Sequence, residues 1–229
     1  MRILAIDTAC AAVSVAIVDS DAAGPLFARQ RAMARGHAEA LAPMVEEALA
    51  KVESGARSLN RIAATIGPGS FTGIRIGVAM ARAMGLALDI PVVGVSTLVA
   101  FAAPLLAEAR PGVVAAAIDA RHGAVYFQLF EPTGRPLIPP RVESPRDAVR
   151  AIGAGPARLV GDAARLIAAE AQRGGPAFDV SAATDLPDIV AVARVGLACD
   201  PEANPARPLY VKPPDAKPNV ADQIARAPA

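Results

Sequence analysis

Apolar and polar positions along the chain change period several times, and each change marks an element. Arg2–Asp7 is a continuous apolar run ended by a carboxylate, the pattern of a strand buried on both faces. In Ala12–Asp19, Val13, Val15 and Ile17 alternate with small residues, which predicts a second strand. Pro25–Arg31 is a third, after a turn-prone Asp/Ser/Gly segment. The period then lengthens. Leu41, Val45, Leu49 and Val52, widened by Met44 and Ala48, set one stripe of a helix over Gly36–Val52, with Pro43 either starting its regular turn or kinking it. Arg61–Ile66 and Pro91–Val95 are further strands, and Phe71–Leu88 and Ser96–Ala109 the helices that follow them. A β-β-β-α-β-α-β-α order is a meander followed by crossover units, the plan of a ribonuclease H-like or actin-like half-domain.

The second half is less periodic. Val113–Asp119 and Ala124–Phe130 predict a hairpin about Ala120-Arg121-His122-Gly123. Glu131–Pro145, rich in proline, is expected to be a loop. Short helices are expected near Arg146–Ile152, Ala163–Gln172 and Pro187–Ala198, with a strand at Arg158–Val160. No internal repeat is visible in the residues. Residues 1–110 are expected to form one lobe, residues 111–212 a smaller one, and 213–229, with several prolines, an extended tail.

Composition narrows the class. The chain has 229 residues, 53% apolar but only 3% aromatic, with six Phe, two Tyr and no Trp. The core must therefore be built from Ala, Val, Leu and Ile. The net charge is +1 and neither half departs far from neutral. That argues against a nucleic-acid binder working alone through a phosphate footprint. Two cysteines, Cys10 and Cys199, give neither a disulfide framework nor metal spacing. Asp7 interrupts the N-terminal apolar stretch, so it reads as a strand and not a signal helix, and no membrane span is expected. A cytoplasmic protein is the expectation.

Four features carry candidate chemistry. The turn Gly67-Pro68-Gly69-Ser70 joins a strand to a helix, where backbone N–H groups and the helix dipole can hold phosphate, but no Lys follows the glycines as in a Walker loop. The bland alternative is a tight turn that needs glycine. In the helix after it, Gly69, Gly73, Gly77, Ala81 and Gly85 recur every four residues, so one face lacks side chains. Each interior Gly costs a helix about 1 kcal/mol relative to Ala, so something must approach that face closely. The approach is either internal packing, on helix 36–52, or an intermolecular contact. Asp7-Thr8 ends the first strand where actin-like ATPases position magnesium nucleotide, yet Ala9 and Cys10 stand where glycine would wrap phosphate. Asp119-Ala120-Arg121-His122-Gly123 offers acid and base in one turn, more simply a turn held by a local ion pair. His37 has no second histidine at i+4, where Leu41 stands, so it makes no local metal motif.

Taken together, Arg2–Thr8, His37-x-Glu39-x-Leu41-x-Pro43-Met44, Gly67–Gly77, Gly94–Leu98, Ile118–Arg121 and Pro208–Lys212 resemble the bacterial TsaB (YeaZ) family, over essentially residues 1–212. Ile66 before the Gly-Pro-Gly turn and Lys212 in place of Arg depart from its pattern. The resemblance implies an α/β, actin-like (ASKHA, ribonuclease H-like) fold of two lobes, with mixed sheets flanked by helices. It implies a non-catalytic subunit that stabilises and activates TsaD, the threonylcarbamoyltransferase that makes t6A beside the tRNA anticodon, and that helps recruit the ATPase TsaE. TsaD holds its metal with a His pair on the equivalent first helix, where this chain has His37 alone. The chain alone is expected to hold no cofactor or metal, with ATP or ADP only at a complex interface and tRNA met only through the complex. The TsaD or homodimer interface is expected on helices 36–52 and 71–88, through His37, Leu41, Met44, Val45, Gly73, Gly77, Ala81 and Gly85. An actin-like ATPase or sugar kinase is the alternative, and a metalloprotease-like hydrolase a weaker one.

Overall fold

The computed structural model describes residues 1–172 and 175–212. The expected tail over 213–229 lies outside the described residues. Strands β1 (Arg2–Asp7), β2 (Ala12–Asp19), β3 (Pro25–Ala32), β4 (Arg61–Gly67) and β5 (Val92–Ser96) form one sheet in the order β3-β2-β1-β4-β5. β1, β2 and β3 pair antiparallel, whereas β4 joins β1, and β5 joins β4, in parallel. Helices α1 (His37–Leu49) and α2 (Phe71–Leu88) cover one face. Leu4, Ile6, Val15 and Ile17 of the sheet meet Leu41, Met44, Val45, Ile74 and Val78 there. α1 stops at Leu49, short of Val52, and Pro43 lies inside it.

Strands β6 (Val113–Asp119), β7 (Val125–Phe130), β8 (Pro136–Glu143) and β9 (Ala157–Val160) form the second sheet, ordered β8-β7-β6-β9. A three-strand antiparallel meander with a fourth strand parallel to its first repeats the plan of β3-β2-β1-β4. The two-lobed α/β architecture with mixed sheets is therefore the one expected, and it is duplicated, although the residues show no repeat. Asp7 ends β1 and Asp119 ends β6, at matching places. The segment 131–145, expected to be a loop, contains β8. Its prolines are tolerated because β8 is an edge strand with irregular pairing, where fewer N–H donors are needed.

Helices α4 (Pro145–Ile152) and α5 (Ala164–Ala171) pack on the second sheet. The division at residue 111 is corrected at the far end. Helix α6 (Ile189–Ala198) returns to the first sheet, where Ile189, Val192 and Ala193 pack on Ile3, Ala5, Ala63 and Val93. Arg61 holds it there through the carbonyls of Gly196, Leu197 and Cys199, at 2.7–3.1 Å, which end α6. Helix α3 (Thr97–Ala107) serves both lobes: Leu98, Phe101 and Leu105 share a cluster with Val114, Ile118, Phe130 and Val160. Arg158 of β9 reaches Glu108 at 2.8 Å and the Leu105 carbonyl at 3.0 Å, fastening the end of α3 to the second sheet.

Candidate functional site

The end of β1 is sealed. Asp7 is fully buried; its Oδ1 accepts from Thr65 Oγ1 and from the Ala9 N–H, at 3.0 Å for the latter. Its Oδ2 meets no partner among the described residues. Burial pushes the Asp7 pKa up, against the lowering effect of its two hydrogen bonds and of His37. Thr8 turns the other way and donates to the Gly73 carbonyl at 2.6 Å. The Ser70 N–H, in the turn where a phosphate cradle was conceivable, donates to the Ala9 carbonyl at 2.7 Å. The loop after β1 thus closes onto the start of α2.

That closure explains the four-residue glycine repeat. A Cβ on Gly73 would lie 1.9 Å from the Thr8 carbonyl oxygen, on Gly69 2.3 Å from that of Ala9, and on Gly77 2.5 Å from Thr8 Oγ1. At Gly85 it would meet a Val92 methyl at 2.2 Å. The approach is made by the β1–β2 loop and β5 of the same chain, neither by α1 nor by a partner. Gly73, Gly77, Ala81 and Gly85 are buried, and Leu41, Met44 and Val45 sit in the core beneath α1. These seven expected interface positions are therefore interior. Periodicity marks a face that something packs against and does not say which molecule supplies it. His37 is half-buried, with Nε2 3.2 Å from the Cys10 carbonyl, and ties α1 to the same loop.

The outward face of α2 is mainly apolar. Leu86 is 87% exposed, Ala79, Ala83 and Ala87 are exposed, and Met80 and Met84 flank them. The helix carries two exposed charges, Arg75 and Arg82, on the same side as Leu86, with Arg82 one turn before it. By length and apolar content α2 resembles a membrane span. Its glycine face packed on the sheet and its side-chain cap at Ser70 make it a layer of the fold.

A cleft of about 920 Å³ opens between the lobes. Its first wall holds Cys10, His37 and the turn from Pro68 to Phe71; its second holds Asp119, Arg121, Tyr126, Asp162 and Asp185. A strap from Asn204 to Lys212 runs beside β5 and the end of β4, and its last residues, Leu209 to Lys212, line the cleft. It is pinned by the Gly94 N–H to Asn204 at 2.9 Å and by the Leu209 N–H to Ile66 at 2.7 Å. Tyr210 on the strap accepts from Arg75 Nε at 2.9 Å. Burial pushes the Cys10 thiol well up, aided by Asp7 and Asp162, so it stays a thiol and a weak nucleophile. Burial also raises Asp162, with Asp119 and Asp185 adding to it. In the hairpin turn, Arg121 and His122 are both left-handed, and Asp119 Oδ1 accepts the Arg121 N–H at 2.8 Å. Asp119 and Arg121 are thus joined through the backbone rather than through an ion pair. Among the described residues no group of three His, Cys, Asp or Glu is placed to hold a metal ion.

Comparison with known proteins gives a consistent result. The family model described as tRNA N6-adenosine threonylcarbamoyltransferase (TsaD) matches residues 30–193. The chain is 40% identical to the tRNA threonylcarbamoyladenosine biosynthesis protein TsaB of Escherichia coli over 131 residues, 57% of this chain and 55% of that protein. The chain spans about half the length of the curated TsaB proteins it matches. An uncharacterised protein of Mycobacterium tuberculosis H37Rv is 36% identical over 222 residues, 94% of each chain. The solved structure of YeaZ from Pseudomonas aeruginosa superposes with a TM-score of 0.73 at 28% identity, over 91% of this chain and 99% of that one.

Proposed function

Because the chain belongs to the bacterial TsaB (YeaZ) family, we propose that it is the non-catalytic partner of a TsaD-type threonylcarbamoyltransferase in t6A biosynthesis. The observation that carries this reading is the outward face of α2, mainly apolar around the exposed Leu86 and, among the described residues, without a partner. Monomers seldom leave such a face bare unless another protein covers it. A buried, hydrogen-bonded Asp7, a glycine turn closed onto Ala9 and a single histidine on α1 support a subunit without its own phosphoryl or metal chemistry. In this reading the reacting groups belong to TsaD, and the chain holds TsaD in a competent form in the cytoplasm. TsaE and its nucleotide join the pair, tRNA is met through the complex, and two copies pair through the same face when TsaD is absent.

Size constrains the contact. α2 has 18 residues and so is about 27 Å long. A strip that long and ~10 Å wide supplies roughly a third of the ~800 Å² per partner in a standard interface. The outer side of α1 and neighbouring loops must supply the rest. The test is to mix the chain with TsaD and TsaE and to measure complex mass and t6A yield together. A mixed complex and a t6A yield that depends on the chain are expected. Full t6A formation by TsaD and TsaE without it, or no complex, contradicts the reading.

A further inference from the structure

This chain has eight aromatic residues, and their distribution is uneven. Phe101, Phe127 and Phe130 are buried in the core, and Phe27 and Phe178 pack against it. The remaining three, Phe71 and both tyrosines, line the cleft between the lobes. Phe71 and Tyr210 are 39% and 44% exposed. Their ring centroids lie 5.1 Å apart at 33°, and the Arg75 guanidinium sits 3.8 Å from the Phe71 centroid and hydrogen-bonds the Tyr210 hydroxyl. Two large rings are therefore held in place at an open mouth instead of being tucked inside. Tyr126 faces the same space from the second lobe.

We propose that this cleft binds a nucleobase, stacked on the Phe71–Tyr210 platform, with the base or its sugar donating hydrogen bonds to the carboxylates of the second lobe. The inference goes beyond the partner-subunit reading and does not depend on it. Arg75 covers one face of Phe71, so the base stacks on the ring surface left open by Phe71 and Tyr210, a contact worth about 1–3 kcal/mol per base. Asp119, Asp162 and Asp185 supply acceptors for exocyclic amines and ribose hydroxyls. A cleft of about 920 Å³ is ample for a nucleoside. Phosphate is disfavoured. Three carboxylates stand in the lining, Arg75 is engaged by Phe71 and the Tyr210 hydroxyl, and the Ser70 N–H of the glycine turn is already spent on Ala9. The ligand is thus a base without a phosphate tail, as a free nucleoside or as a base splayed from an RNA loop.

Both tyrosines report on the site, so the chain labelled with 3-fluorotyrosine gives ¹⁹F signals from this cleft alone. It is titrated separately with adenosine, guanosine, cytidine, uridine, ATP and a short single-stranded RNA loop. Saturable shifts with at least one nucleoside or with the RNA, at up to ~10 mM nucleoside, are expected. Shifts with RNA only identify a base presented in a chain, and shifts with nucleosides identify a free ligand. Phe71→Ala is expected to weaken binding about tenfold or more, whereas Tyr210→Phe, which keeps the stack and the fold, retains it within about threefold. Asp162→Asn narrows the preference for adenosine over ATP. No shift with any probe, ATP binding tenfold tighter than adenosine, or binding unchanged in a folded Phe71→Ala variant overturns the proposal.

Discussion

Replacing Gly73 by Ala tests whether the small-residue face of α2 is an internal contact. On helix propensity alone, Ala should gain about 1 kcal/mol over Gly. The structure sets that against a Cβ placed 1.9 Å from the Thr8 carbonyl oxygen. Thr8 is also held from its side chain, which donates to the Gly73 carbonyl at 2.6 Å, so the loop cannot swing aside without losing a buried hydrogen bond. Overpacking against backbone lies at the upper end of ~1–3 kcal/mol or beyond it, so the clash outweighs propensity by about 2 kcal/mol. For a chain of this size that lowers Tm by roughly 4–8 °C. Gly155→Ala is the control: nothing stands within 4 Å of its Cβ and its backbone is not left-handed. It should leave stability unchanged or raise it by a few tenths of a kcal/mol, up to ~1. Thermal and urea unfolding of both variants beside the parent measure the difference. Gly73→Ala as stable as Gly155→Ala would refute the internal packing and return that face to an external partner.

Three further outcomes follow from the same geometry. The folded pKa of Asp7 lies above its unfolded value of 3.8, chiefly through burial, so the unfolded chain ionises first as pH rises. Asp7 therefore subtracts stability above about pH 4, and Asp7→Asn should be the more stable form at neutral pH, with a flatter urea midpoint from pH 4 to 7. Arg61→Ala leaves three α6 carbonyls without their donor and should cost about 2 kcal/mol, read as a lower urea midpoint with Arg61→Lys recovering part of it. Leu86→Ser, on a side chain 87% exposed, should leave Tm within about 1 °C while reducing self-association by light scattering.

Much of the fold was legible because local pattern and tertiary role coincide. The alternation of Val13, Val15 and Ile17, and the four-residue stripe from Leu41, appear as strand and helix because those residues face the core. β8 escaped because Pro136, Pro139 and Pro140 argue against a strand unless the strand is an edge, and edge position is a property of the assembled sheet. The return of α6 to the first sheet escaped for the same reason: its apolar pattern says that it is buried and not where. The glycine repeat was visible, but its partner is a carbonyl 65 residues away in sequence, which no periodicity encodes. The aromatic platform had a faint signal, two tyrosines in a chain almost without aromatics, one of them in the motif Pro208–Lys212. Only the folded strap brings Tyr210 against Phe71.

The claim that the outer face of α2 is where this subunit meets TsaD is tested most directly by Leu86→Arg. The substitution leaves the interior untouched and, on the proposed contact, replaces an apolar side chain by a charge. The dissociation constant for TsaD should rise about thirtyfold or more, with t6A yield falling in step and Tm unchanged. Wild-type affinity and full t6A yield from the Leu86→Arg variant would contradict the account.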